Sequence, residues 1–265
     1  MDSPYIASLL SPRATDISMF GAKAGNLAKA AQLGFAVPNG LVISRVCTEN
    51  EFDLIAQKII YELTLPVAVR SSAINEDSMT EAFAGQFETC LGVRSTVDIV
   101  NAFTIVKNSG STDIFKINHG YAVSPKHIAV LVQSMVNATR AGIAFTRDPN
   151  TGESKVIIES NYGLGKSVVD GEVTPDSIEY LNDGTYKIYV GRKSMQVTLI
   201  ESGIYKYATP IADTQRSSLF DDEIKEIANL AQKVELCLGF AADIEWAFDA
   251  NRTLWLLQAR PITTV

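Results

Sequence analysis

The chain is poor in the residues that mark several functional classes. Its 265 residues include only three cysteines, two histidines and two tryptophans. Cys47, Cys90 and Cys237 lie far apart, show no metal-ligand spacing and leave an odd count, which excludes a disulfide framework and predicts reduced thiols in a cytoplasmic protein. His119 and His127 stand in neither a nucleophile-like nor a metal-like setting, so no role is assigned to them. Positive charge is also scarce: 23 Lys and Arg against 30 Asp and Glu leave a net charge of -7. That balance gives no basic footprint for nucleic acid or an anionic membrane, and any anionic ligand has to be held by a local cluster. Nowhere do eighteen apolar residues run together, and the first ten residues lack a basic segment followed by a long apolar one. Neither a membrane span nor export is expected.

What is present is enough apolar material, 46%, for a packed core in one large domain or two small lobes. Lys23 to Leu33 reads as a short helix stopped by Gly34, and Gly40 to Ser44 as a buried strand, followed by a second helix to about Glu62. Strands are read at 66–70, 89–93, 128–136, 141–146 and 155–159, with a long polar loop of small residues at 71–86. From Asp221 an acidic first turn and inward Ile224, Ile227, Ala228, Ala231 and Leu238 spell an amphipathic helix that Gly239 ends. Strands and helices mix irregularly and no repeat is visible, so the expected class is α+β rather than a doubly wound sheet.

The richest segment is the last, Asp243-Ile-Glu245-Trp246 through Leu257-Gln258-Ala-Arg260-Pro261. Alternation puts Ile244, Trp246 and Phe248 on one face of a strand, with Asp243 and Glu245 on the other. In a hairpin turning across Asp249 to Arg252, numbers summing to 501 stand opposite, so Trp246 is expected to face Trp255 and Asp243 to face Gln258. An even-length turn then gathers Asp243, Glu245, Gln258 and Arg260 on one face and sends both tryptophans into the core, whereas an odd one splits Glu245 from Gln258. Oxygen ligands beside an arginine suit a metal-bound phosphate; solvated charges on an edge hairpin are the plainer alternative.

Three further motifs carry chemistry. Gly21-Ala22-Lys23 places a lysine at the mouth of a helix, where free N–H groups favour an anion, although the spacing is common. Val67-Ala-Val-Arg70-Ser71-Ser72 runs a buried strand into an arginine and two hydroxyls that can grip phosphate; an ion pair of Arg70 with Glu76 or Asp77 is the competing reading. In Val130-Leu-Val-Gln133-Ser-Met135-Val136, a buried strand ends in a polar residue and a thioether that can line an adenine pocket or merely complete a core.

Taken in order, these segments resemble the N-terminal nucleotide-binding domain of the phosphoenolpyruvate synthase and pyruvate phosphate dikinase family, also found in rifampin phosphotransferase. The resemblance runs from about Gly21 to Thr263 and includes Phe83-Ala84-Gly85-Gln86, Gly142-x-Ala144-Phe145-Thr146-Arg147-Asp148-Pro149, Gly163-Leu164-Gly165 and Pro175-Asp176. It implies an ATP-grasp fold over residues 1–265, with two α+β lobes holding the nucleotide in the cleft between them and approximate sub-lobes 1–63, 64–136 and 137–265. It also implies phosphate contacts at Lys23, Arg70, Ser71 and Arg260, a glycine-rich phosphate loop at Gly85, Gln86 and Thr89, and adenine contacts along Gln133, Met135 and Val136. The implied cofactors are ATP and Mg²⁺, the metal held by Glu245 and Gln258, with Lys23, Arg70 and Arg260 as catalytic residues. Members of the family cleave ATP to AMP and pass phosphate through a histidine on a swivelling domain. Neither that histidine motif nor an acceptor barrel is in this sequence, Lys166 stands where glutamate is usual, and the 44–65 and 93–128 stretches are short. The expected partner is therefore a histidine-bearing swivelling domain on another chain. The alternatives are a small-molecule acceptor, as in a direct kinase or ligase, and a non-catalytic nucleotide sensor.

Overall fold

The structure, a computed structural model, describes residues 4–74, 77–78, 81–82, 87–111 and 128–262. It comprises two compact units, Met1–Gly34 with Pro38–Met135, and Phe35–Val37 with Val136–Val265. Both mix helices with antiparallel sheet, so the α+β class expected from the sequence is the one found.

The first unit contains β1 (Ile6–Ser8), α1 (Ile17–Phe20), α2 (Ala22–Gln32), β2 (Gly40–Ile43), α3 (Phe52–Glu62), β3 (Val67–Ala73), the two-residue strands β4 (Asp77–Ser78) and β5 (Glu81–Ala82), β6 (Thr89–Val93), α4 (Thr96–Asn108) and β7 (Ile128–Ser134). Five of the strands form one sheet in the order β1-β2-β7-β3-β6. Strands from 1–63 and 64–136 thus share a sheet, which corrects the expectation of separate sub-lobes there: the apolar runs at 40–43 and 67–73 both need β7 as a neighbour to bury their backbones. Val67, Val69, Val130 and Val132 on one face join Phe52, Ile55 and Ile59 of α3 and Ile99, Phe103 and Val106 of α4 in a core. Phe52 and Phe103 meet edge to face at 5.2 Å. α4 was not foreseen in the sequence, though its N-cap is orthodox, with Ser95 Oγ accepting from the Asp98 amide at 3.1 Å.

The second unit contains β8 (Ala138–Phe145), β9 (Val156–Tyr162), α5 (Lys166–Val169), β10 (Asp176–Tyr180), β11 (Tyr186–Tyr189), β12 (Met195–Ile200), β13 (Gly203–Ala208), α6 (Ile211–Thr214), α7 (Asp221–Leu238), β14 (Ala242–Asp249) and β15 (Leu254–Pro261). Its sheet runs β11-β10-β9-β8-β14-β15, and β12 pairs with β13 as a separate ribbon. Helix α7 begins and ends where the sequence places it: Glu223 Oε2 accepts from the Phe220 amide at 3.0 Å, and Gly239 takes a left-handed φ of 80°. Ile224, Ile227, Ala228 and Ala231 are buried as expected, with Val234 rather than Leu238 completing the stripe.

The Pro175-Asp176 motif is a packing node of this unit. Lys193 and Asp176 are both fully buried; Asp176 Oδ1 accepts from Lys193 Nζ at 2.5 Å and from the Gly191 amide at 2.9 Å. Its Oδ2 accepts from the Ser218 amide and hydroxyl at 2.6 and 2.8 Å. One carboxylate thereby ties the 191–193 segment and Ser218 to β10, and removing either charge strands the other without solvent. We predict that Lys193→Met lowers stability by about 3 to 5 kcal/mol in chemical denaturation. A loss below about 1 kcal/mol would contradict this role for the pair.

The three thiols are free and differ in environment. Cys47 is buried, and desolvation pushes its thiol up to about 11 despite the nearby Lys107 ammonium, whereas Cys237 is exposed. A thiol reagent at pH 8 is expected to label Cys237 in the native protein and Cys47 only after denaturant is added. Labelling of Cys47 at the rate of Cys237 would refute the assignment.

Candidate functional site

In the first unit, pairing sorts the site residues by face. Arg70 stands opposite Thr89 of β6 and Leu131 of β7, and Ala68 opposite Gln133, so Arg70, Ser72, Thr89 and Gln133 share one face, away from the α3 and α4 core. The nearly buried Lys23 joins this side through α2, whose Ala24 amide donates to Ser72 Oγ at 3.0 Å. Ser71, expected as a phosphate contact, lies on the opposite face and is fully buried; strict alternation makes it impossible for both serines to follow Arg70 to the same side. Of the two hydroxyls read at the end of this strand, Ser72 is the one that the period-two rule leaves on the side of Arg70.

The end of β7 has an amide in an unusual state. Gln133 is 4% exposed, and its Nε2 is buried without a hydrogen-bond partner among the described residues. A donor of that kind costs stability unless something accepts from it. Gly40, opposite Gln133, leaves no space of its own: a Cβ there would lie 2.8 Å from the Val132 carbonyl oxygen and 3.2 Å from Gln133 Cγ. Met135 turns its sulfur back to accept from the Gly92 amide at 3.0 Å, and Val136 opens the second unit. Gly85 and Gln86 lie outside the described residues, as do His119 and His127.

In the second unit the hairpin β14–β15 has a register different from the one expected. Asp243 faces Arg260 and Glu245 faces Gln258, and after a bulge between Glu245 and Trp246 the pairs become Trp246 with Leu256 and Ala247 with Trp255. The expected pairs, Trp246 with Trp255 and Asp243 with Gln258, are therefore wrong. The reason is the turn: Asp249 Oδ1 accepts from the Asn251 and Thr253 amides, Arg252 takes φ 62°, and this asymmetric turn together with the bulge shifts the pairing. Only Trp246 enters the core; Trp255 is half-buried and donates its indole N–H to Asp249 at 3.0 Å. Before the bulge, however, opposed residues share a face, and Asp243, Glu245, Gln258 and Arg260 lie together.

The same face continues across the sheet. Ile143 of β8 stands between Glu245 and Glu159 of β9, so Glu159 lies in one row with Glu245 and Gln258, a position no sequence motif had marked. Gly142 permits the close approach of these strands, since a Cβ there would sit 1.8 Å from the Glu159 carbonyl oxygen. Arg260 grips Asp243 Oδ2 through Nε at 2.8 Å and Nη2 at 2.5 Å. Burial raises the Asp243 pKa, opposed by the Arg260 charge; burial, then the charge of Asp243, raises that of Glu159. Beside them opens a recess of ≈ 180 Å³, with Asp243, Glu245 and Arg260 as its polar lining and Ile143, Phe145, Val169 and Ile262 among its apolar lining.

These residues fit a metal shared with a ligand better than a resident metal. Among the described residues no group of three or more His, Cys, Asp or Glu is placed to hold an ion alone. Glu245 opposite Gln258 offers two hard oxygen ligands, which suits Mg²⁺ that keeps waters and phosphate oxygens for the remaining positions. The buried Gln133 amide likewise fits a ligand edge with an acceptor.

The profile of the family described as pyruvate phosphate dikinase, AMP/ATP-binding domain, matches residues 49–265, and the chain belongs to that family. A probable phosphoenolpyruvate synthase of Archaeoglobus fulgidus is 35% identical over 204 residues, covering 75% of this chain and 27% of the relative. The prodigiosin synthesizing transferase PigC of Serratia marcescens is 37% identical over 210 residues, covering 75% and 23%. The uncharacterized phosphotransferase YvkC of Bacillus subtilis is 29% identical over 282 residues, covering 92% and 33%. The chain thus spans about a quarter to a third of the length of these relatives. Among solved structures, a D-alanine-D-alanine ligase from Coxiella burnetii aligns over 98% of this chain and 51% of its own at 10% identity and a TM-score of 0.42, too distant to define the fold.

Gly142→Ala is expected to force β8 and β9 apart and to cost about 1 to 3 kcal/mol, because the added methyl would meet backbone rather than a movable side chain. Unchanged thermal stability would contradict the close approach.

Proposed function

We propose that the chain binds ATP with Mg²⁺ and serves as an ATP-dependent phosphotransferase component: one phosphoryl group of ATP passes to a histidine on a partner chain, water takes the other, and AMP and inorganic phosphate leave. The single observation that carries the reading is the sharing of one sheet face by Glu245, Gln258, Asp243 and Arg260. Glu245 and Gln258 would hold Mg²⁺, which would supply neutralisation of phosphate charge. Around it the protein acts by positioning: Arg260, oriented by its two bonds to Asp243, meets developing charge on the transferred phosphoryl group. Lys23 and Arg70 hold phosphate oxygens, and the Gln133 amide donates to the base. None of these residues is needed as a covalent nucleophile, because phosphoryl transfer to an external acceptor depends on alignment and charge.

Support for transfer chemistry comes from the relatives named as synthase, transferase and phosphotransferase. The name of the prodigiosin synthesizing relative favours a second reading, direct transfer to a small-molecule acceptor. Incubating the pure protein with ATP and Mg²⁺, alone and with candidate acceptors, while following AMP, ADP and protein-bound phosphate, separates the two readings. Acid-labile phosphate on His119 or His127 would contradict both.

We expect Glu245→Gln to weaken Mg²⁺-dependent ATP binding by roughly tenfold or more, about 1.4 kcal/mol. Arg260→Ala is expected to lower turnover by about 10²- to 10³-fold while changing nucleotide affinity less. Calorimetry and steady-state rates read the two effects separately. A wild-type rate for Arg260→Ala would remove this arginine from the reacting centre.

A further inference from the structure

Helix α2 starts without a cap of its own. Its N-cap residue is Gly21, held at φ 79°, and no side chain of the helix's own N-terminus satisfies the first-turn amides. Gly21 cannot be replaced by a capping serine or aspartate: a Cβ there would lie 1.9 Å from the Ser72 carbonyl oxygen and 2.5 Å from Ser72 Oγ. The missing acceptor comes from 48 residues away. Ser72 Oγ accepts from the amide of Ala24, the third helical residue, at 3.0 Å, the bond a serine at the N-cap position would make. Ser72 is fully buried. It also stands two residues after Arg70 on the same strand and the same face.

We infer that Ser72 is a positioning residue that caps α2 from strand β3 and thereby fixes Lys23, the second helical residue, on the face that carries Arg70. The consequence is geometric coupling. Lys23 and Arg70 are 47 positions apart in the chain, yet the helix bearing one is seated on the strand bearing the other through a buried hydrogen bond and the close contact of Gly21 with Ser72. Ser71 lies on the opposite face of the strand. The inference deepens the nucleotide reading and rests on it, because a fixed Lys23 matters only where it has an anion to hold.

A double-mutant cycle tests it, with Mg-ATP as the probe and the equilibrium dissociation constant and melting temperature as readouts. In the wild-type background, Ser72→Ala is expected to weaken Mg-ATP binding by roughly tenfold, the effect of losing a helix cap whose lysine contacts the ligand. In a Lys23→Met background the same substitution is expected to change binding less than about twofold, because the residue through which Ser72 acts is gone. An equal loss in both backgrounds would show that Ser72 acts on the fold in general and would overturn the inference. Should Ser72→Ala fail to fold, Ser72→Cys, nearly isosteric and a weak acceptor, carries the same cycle with the same two outcomes. Failure of the wild-type chain to bind Mg-ATP at all would instead defeat the nucleotide reading, so the two failures are distinct.

Discussion

The two-residue period of a paired strand is the constraint from which both candidate sites derive. In β3 it divides Val67, Val69 and Ser71, which face a core of α3 and α4 residues, from Arg70 and Ser72, which face the side of α2. In β14 it divides Ile244, Trp246 and Phe248, all fully buried, from Asp243 and Glu245. Burial of the apolar half drives folding, at about 25 cal/mol per Å² of apolar surface removed from water. Ligand residues on rigid paired backbone are held more closely than loops would hold them.

Electrostatics then sets the character of the second unit's face. A carboxylate as buried as Asp243 is unfavourable on its own, and its tie to Arg260 compensates only in part, as the direction of its pKa shift indicates. Glu159 is pushed the same way by burial and by Asp243. In both, burial is the larger cause and neighbouring carboxylate charge the smaller. On the proposed reading, a divalent cation would offset the carboxylate charge of this face, and the phosphates that accompany it would pair with Arg260.

Much of this was legible in the chain. The α+β class, the strand at Thr89–Val93 and the helix beginning at Asp221 and ended by Gly239 were readable because apolar periodicity, caps and glycine stops agreed there. The grouping of Asp243, Glu245, Gln258 and Arg260 was readable from parity alone, since a register shift of two positions leaves faces unchanged. The register itself was not, because it depends on the turn held by Asp249 and on a bulge that no local pattern announces. Nor was Glu159 or the bond between Ser72 and the Ala24 amide, since both arise through long-range pairing rather than through spacing in the sequence. The β12–β13 ribbon and α4 went unread for the same reason: their neighbours supply the burial that their own sequences only partly encode.

Hydrogen exchange measured with and without saturating Mg-ATP tests the central claim most directly, that the polar faces of both units are the nucleotide-binding surfaces. The account predicts slowed exchange in the segments around Lys23, Arg70 and Gln133 and in those around Asp243–Glu245 and Gln258–Arg260, with the outer faces of α3 and α4 unchanged. Saturated binding that left either set of segments unaffected would contradict it.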